Sequence, residues 1–472
     1  MRLPLLLGLV PLLAACSEGA QRKDFQDLAS APRVSRTEAI SLVQPLGGAN
    51  LVALNGNAVP AAPLAAAPIG HLEGPDRLAH LFQRFASLDE GRGHDDVRIL
   101  QFGDSHTASD MGATAFRHVL QARFGDGGRG FVSLGCPWKN YVQEGIRGCW
   151  MNDEFESQRA RPRTPLGFGV NTTNGVDGDF GLLGVSVGAS RGGAYASTQI
   201  GERFSRFEVA YLQEPLGGSF DVMVDGARAG RVSTRSATGL PASSGFTSFD
   251  TTDGPHQIDV RTVGDGSVRV FGVGLDRPQT GVVVTALGIN GAQIFTALRS
   301  SEEHFEEQVR HQAPALVVLA YGTNEAADPN LDDATYERGL VDILGRVSRA
   351  APNASCLLLG PPDFARWTKG SRGYHTVPRI LEIDAIQRRI ARAAGCAFYD
   401  QIEAMGGPGS MAAWAAEPTP RAQQDRMHLT RAGYTQVGTS FATDVLHAYD
   451  EWRAETGLPP TGAEKAWDVA RR

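Results

Sequence analysis

The sequence contains no block rich in lysine and arginine, and its net charge is -7. The electrostatic footprint of a nucleic-acid-binding protein is therefore missing. No two of its five cysteines form a Cys-x-x-Cys pair, which leaves a zinc ribbon or a thioredoxin-type motif unsupported. Glycine follows no regular repeat, which excludes a collagen-like chain. What the chain does have is 56 glycines in 472 residues, about 12% against an average near 7%. That excess points to turn-rich β structure or many tight loops. With 42% hydrophobic and 21% charged residues, the chain can build a proper core and is not wholly disordered. At roughly 100–200 residues per domain, it divides into two or three domains.

The apolar run from Leu3 to Leu13 follows Arg2 and is too short to anchor a helix across a bilayer. It ends in Leu13-Ala14-Ala15-Cys16, which resembles the lipobox of bacterial lipoproteins. Residues 1–16 are thus expected to be a lipoprotein signal, with Cys16 the lipid attachment point and the membrane held through its acyl chains. An ordinary secretory signal with an incidental cysteine is the alternative. Ser17, where an Asp would favour the inner membrane, points to the periplasmic side of a Gram-negative outer membrane. Residues 17–75, rich in Ala, Pro and Gly, read as a low-complexity tether with at most a short helix near 37–45. An exported chain permits disulfides. Of three connectivities for Cys136, Cys149, Cys356 and Cys396, the simplest pairs Cys136 with Cys149 and Cys356 with Cys396; four buried thiols are the alternative.

The folded body is expected from Asp76. Leu78, Leu81, Phe82, Phe85 and Leu88 recur at helical spacing. Val97 to Phe102 read as a buried strand running into Gly103-Asp104-Ser105-His106, with an amphipathic helix after it. Residues 150–280 change character: glycine is dense and short alternating runs predict a β-sandwich of about eight strands. From Gly281 strands and helices alternate again. Strands are expected at 282–286, 315–320, 355–359 and 396–399, and a last helix at 431–453, before a tail from 456. This pattern implies a parallel sheet covered on both faces, with the β-module inserted between 76–149 and 281–455.

Ser105 lies just beyond a strand end, where open α/β sheets collect reactive groups. A serine hydroxyl needs a base to take its proton. His428 is the candidate, and Asp425, three residues before it, can hold its ring tautomer. Donors for a developing oxyanion are available from the Ser105 N–H, from the loop Gly288-Ile289-Asn290-Gly291 and from Gly322-Thr323-Asn324. Each has a plainer alternative. Ser105 can be a helix N-cap, Asn324 an Asx turn, His428 a surface histidine, and Gly288 competes with Gly291. His106 either lines the site or fills space. Asp104, His106 and Asp110 form a metal set only on paper, lacking a distant fourth ligand. Trp138 and Trp150 either stack on sugar rings or pack as buried aromatics.

Gly103-Asp104-Ser105, Gly291, Gly322-Thr323-Asn324 and Asp425 with His428, in that order, resemble the SGNH, or GDSL-type, hydrolase superfamily. The resemblance covers residues 95–145 and 281–450. It implies a flavodoxin-like three-layer α/β/α domain with a five-stranded parallel sheet. It also implies a Ser-His-Asp triad of Ser105, His428 and Asp425 that uses neither metal nor organic cofactor. The Gly-x-Ser-x-Gly elbow of the common lipase fold is absent, because residue 107 is Thr. His106, in place of the usual leucine, is similar to the branch of bacterial peptidoglycan O-acetylesterases, which carry an inserted sandwich resembling a carbohydrate-binding module. The expected activity is that of a cell-envelope serine esterase that removes acetyl groups from a glycan, peptidoglycan first. The rivals are esterases on another polysaccharide, a lipase or thioesterase, and a non-catalytic glycan-binding lipoprotein.

Overall fold

The computed structural model describes residues 69–458, apart from 140, 161–171 and 174–176. Cys16, the signal segment, the tether as far as residue 68, the helix considered near 37–45 and the tail beyond 458 lie outside the described residues.

A central sheet runs in the order Leu72–Glu73, Ala397–Tyr399, Ser355–Leu359, Leu316–Ala320, Val97–Gly103, Val282–Gly288. The last five strands are mutually parallel, and the two-residue edge strand is antiparallel to its neighbour. Numbered by sequence, the parallel strands stand 2-1-3-4-5, the flavodoxin-like order. Their side chains alternate between two buried cores. Leu100, Phe102, Val317, Leu319 and Leu358 face one side with the helices Glu302–Gln312, Asp333–Ala350 and Pro378–Ala394. Val97, Ile99, Leu316, Val318 and Leu357 face the other with Ala79–Asp89, Met111–Phe124 and Arg431–Glu455. A sheet buried on both faces explains why these strands read as continuous apolar runs.

The folded body starts before Asp76. Leu72 is fully buried, and Glu73 bonds to both Arg388 and Arg392 of the Pro378–Ala394 helix. Both partnerships cross more than 300 residues, so the local composition gives no sign of them.

Among the described residues the sandwich has a five-stranded sheet and a seven-stranded sheet, more strands than the alternation at 150–280 suggested. Strand Gly128–Val132 pairs antiparallel with Val268–Asp276, and Ile146–Met151 pairs with Tyr195–Ile200. Both begin before residue 150. Gly128-Arg129-Gly130 carries no alternating pattern because contact, not amphipathicity, selects its residues. A Cβ on Gly128 would stand 2.3 Å from the Leu275 carbonyl, and one on Gly130 would stand 2.5 Å from Thr285 Oγ1. The Phe131 N–H donates to Thr285 Oγ1 of the central sheet at 3.2 Å. This strand therefore joins the two domains, and one apolar cluster runs from Phe180, Leu182 and Phe271 of the sandwich to Phe102, Leu287 and Phe305.

A buried ionic junction sits beside this joint. Arg117 and Arg129 are each 1% exposed. Arg129 pairs with Asp110, and Arg117 Nη2 donates to Glu202 Oε1 of the sandwich at 2.8 Å. The Glu144 N–H donates to Asp110 Oδ2 at 3.0 Å, and the Glu144 carboxylate accepts both terminal nitrogens of Arg431, each at 2.8 Å.

Cys136 is joined to Cys149 and Cys356 to Cys396, with Cα separations of 5.2 and 4.9 Å. The second bridge ties neighbouring parallel strands at their starting ends. Closing loops of 13 and 40 residues restricts the unfolded chain by about 3 and about 4 kcal/mol respectively. Replacing Cys356 and Cys396 by Ala is expected to lower urea-unfolding stability by about 4 kcal/mol, more than replacing the shorter pair. The reverse ranking would show that chain entropy is not the governing effect.

Candidate active site

Strand Val97–Gly103 delivers Ser105. Gly103 is required at its end, since a Cβ there would lie 2.1 Å from Thr107 Oγ1 and 2.7 Å from the Ala320 carbonyl. Asp104 then caps the single turn Ser105–Ala108, its Oδ1 accepting the His106 N–H at 2.9 Å. Asp104 is buried, and burial pushes its carboxyl up to about 7 against the hydrogen bond from His106.

Ser105 Oγ lies 2.9 Å from His428 Nε2, and His428 Nδ1 lies 2.7 Å from Asp425 Oδ2. The other Asp425 oxygen accepts the backbone N–H groups of Met427 and His428, each at 3.0 Å. Burial raises the Asp425 carboxyl, but hydrogen bonds from the His428 ring and from these two N–H groups outweigh it, so the pKa is lowered. The group therefore stands as a carboxylate, suited to fixing the Nδ1–H tautomer and stabilising an imidazolium. The loop is held at both ends. The Gln423 N–H donates to the His428 carbonyl at 2.8 Å, and Thr430 caps the following helix. Arg426 takes the left-handed conformation, φ 55°, that turns the chain between Asp425 and His428.

Asn324 follows Gly322 at the start of a short helix, at the end of the third parallel strand. Its Nδ2 donates to the Ala292 carbonyl at 2.8 Å and faces Asp104 Oδ2 at 3.5 Å. Gly291 occupies the turn just before Ala292 at φ 76°, a conformation suited to glycine. Gly288 has another task. It packs so closely on the Ser105 turn that a Cβ would stand 2.0 Å from the Ala108 nitrogen. The structure thus brings Ser105, Asp425 and His428 into one hydrogen-bonded chain. Asn324 lies beside Asp104, and Gly291 lies on the loop that Asn324 holds.

Asp104, His106 and Asp110 do not converge. Asp104 bonds to backbone, His106 Nδ1 meets the Tyr434 hydroxyl at 3.0 Å, and Asp110 pairs with Arg129. Trp138 is buried, whereas Trp150 is exposed on the sandwich.

Three features were not singled out by sequence reasoning. Glu325 is wholly buried, and its two oxygens accept the Ile294 and Gly322 N–H groups at 2.7 and 3.0 Å. It locks the Gly291 loop to the Asn324 loop, and burial pushes its carboxyl up to about 8. Its one visible sign is its place directly after Asn324. Tyr434, on the last helix, holds His106 and carries no local signal. An exposed hairpin, Ala365–Thr368 with Gly373–Thr376, stands beside the His428 loop, the Ala365 N–H donating to the Arg426 carbonyl at 3.0 Å.

The sequence profile of the GDSL-like lipase/acylhydrolase family matches residues 251–436. That span contains Gly291, Asn324, Asp425 and His428; Ser105 lies beyond it, on the far side of the inserted sandwich. Among solved structures, a peptidoglycan O-acetylesterase superposes with a TM-score of 0.63 at 26% identity, over 78% of this chain and 96% of that one. Much looser overlays include a carbohydrate esterase family 2 enzyme with a carbohydrate-binding domain from Corynascus thermopiles. It has a TM-score of 0.27 at 14% identity, over 55% of this chain and 95% of that one. A carbohydrate-binding module of family 6 from Zobellia galactanivorans has a TM-score of 0.17 at 18% identity, over 20% of this chain and 81% of that one. The last two are too distant to carry an argument. No curated protein matches by sequence.

Burial, reinforced by the neighbouring His428, holds the His106 imidazole down at about 3, against an ordinary value of 6.5. The folded protein keeps this ring neutral while the unfolded chain protonates it. The stability linked to it is full above pH 6.5 and is lost as pH falls towards about 3. Replacing His106 by Gln is expected to flatten the acid limb of a urea-midpoint against pH series. Parallel limbs for the two proteins would show that the ring titrates normally in the folded state.

Proposed function

Because this chain carries a GDSL-type ester hydrolase domain, we propose that it removes acetyl groups from a glycan, and that the glycan is peptidoglycan. One observation carries the chemical part: a serine, a histidine and an aspartate from two ends of the chain meet at 2.9 and 2.7 Å. The likeness to a peptidoglycan O-acetylesterase over most of both chains supports the substrate.

In this reading Ser105 Oγ attacks the acetyl carbonyl as His428 Nε2 takes its proton. Asp425 keeps the other ring nitrogen protonated and stabilises the imidazolium. The negative charge that develops on the carbonyl oxygen is met by the Ser105 and Gly291 N–H groups and by Asn324. Asn324 Nδ2 donates to the Ala292 carbonyl at 2.8 Å and faces Asp104 at 3.5 Å, so its planar amide swings as a unit to present an N–H to the oxyanion. His428 then protonates the departing sugar oxygen, and a water that it activates releases acetate from Ser105. The sandwich would hold the polymer. Cys16 would tether the enzyme by lipid to the periplasmic side of the outer membrane, within reach of the wall.

Acetate release from O-acetylated peptidoglycan tests this reading. Ser105→Ala is expected to lower turnover roughly ten-thousand-fold or more, and Asn324→Ala by roughly 100–1000-fold. Unchanged release by Ser105→Ala would rule out the triad. Ser105-dependent cleavage of a small acetyl ester without release from peptidoglycan would keep the mechanism and move the substrate to another acetylated polysaccharide.

A further inference from the structure

The hairpin beside the His428 loop has a composition unlike its surroundings. Residues 365–376 hold Arg366, Lys369 and Arg372 and no acidic residue, in a chain whose net charge is -7. All three cations are exposed, and none forms an ion pair with a described residue. Trp367 and Tyr374 are direct register partners across the two strands, so both side chains stand on one face. Their rings meet edge-on at 5.2 Å, yet the indole remains 55% exposed and the phenol ring 39%. Two adjoining exposed aromatics flanked by cations offer an amphipathic contact surface.

The hairpin also packs against the His428 loop. The Arg426 guanidinium lies 4.0 Å from the Tyr374 ring centre, and Arg426 stands between Asp425 and His428. The base of the hairpin is fastened by hydrogen bonds. Asp363 is fully buried, and one of its oxygens accepts the Gly409 and Met411 N–H groups at 3.1 and 2.9 Å; Thr376 Oγ1 also accepts the Gly409 N–H at 2.7 Å.

We propose that this hairpin, with Arg426, is a docking platform for a glycan strand that bears carboxylates. Trp367 stacks on a pyranose ring, and Lys369, Arg372 and Arg426 face the strand's negative charges. An amphipathic aromatic offers a flat apolar face to a sugar, and exposed cations supply orientation and encounter rate more than affinity. A lipid surface also accepts tryptophan and basic residues. The adjoining His428 loop, proposed to act on a glycan ester, favours the polymer as the occupant. The platform rests on the proposed glycan esterase activity and adds where the strand lies.

The test compares the full chain with Trp367→Ala and, separately, with Lys369→Glu/Arg372→Glu. Nitrophenyl acetate, too small to reach the hairpin, reports that each protein is folded. On O-acetylated peptidoglycan, KM is expected to rise about tenfold with kcat held, a loss typical of truncating a buried aromatic anchor. For the charge-reversed protein the loss should shrink at high salt. Co-sedimentation with peptidoglycan sacculi, using each change on a Ser105→Ala background, reads docking without turnover and should fall in step. If the parent releases acetate and both variants match its KM and sedimentation, the platform is wrong and the esterase reading stands. If the parent releases none, the substrate reading fails, and sedimentation alone decides: loss on substitution supports the platform, no change overturns it. Hairpin-dependent binding to anionic vesicles but not to sacculi would assign the face to membrane and also overturn the proposal.

Discussion

Two arginines with almost no access to water hold this molecule's halves in place. Arg117 and Arg129 share Asp110 and Glu202 as counter-charges, so the helix after Ser105, the joining strand and the sandwich are tied at one buried point. Removing one member of such a set leaves an uncompensated buried charge, which costs about 3–5 kcal/mol. The set also reaches the His428 loop. Glu144 touches Asp110 through its N–H and holds Arg431 through its carboxylate, and Arg431 opens the helix that follows His428. Ser105 and His428 thus belong to elements clamped to the same junction from opposite sides.

Legibility followed range. The parallel strands were readable because burial on both faces makes each an unbroken apolar run. Ser105, Asn324 and Gly291 were readable because each lies in a short block at a strand end. Asp425 and His428, three residues apart, form a local turn. What escaped was whatever depends on distant contact. The Leu72–Glu73 edge is held by arginines more than 300 residues on. Gly128–Val132 is shaped by the backbones and side chains that close on its glycines. Glu325 resembles any helical glutamate until the Ile294 and Gly322 N–H groups are seen pointing at it. Gly288 and Gly291, alike in sequence, separate only in space: one lets the Ser105 turn approach, the other turns the loop that Asn324 braces.

Polar groups around Ser105 are arranged by burial as much as by charge. Asp104 and Glu325 are carboxyls pushed towards neutrality, while His106 is kept uncharged beside His428. Among the carboxyls, Asp425 has its pKa lowered, and it is the one hydrogen-bonded to the His428 ring.

The bond between Ser105 and His428 spans 323 residues of sequence. A chain made from its amino terminus exposes the serine early. Its hydrogen-bond partner comes late, after the sandwich and the remaining parallel strands have been laid down. No fragment ending before His428 contains both partners of that bond. The insertion lengthens that interval: the Ser105–His428 hydrogen bond can form only after the sandwich has been made.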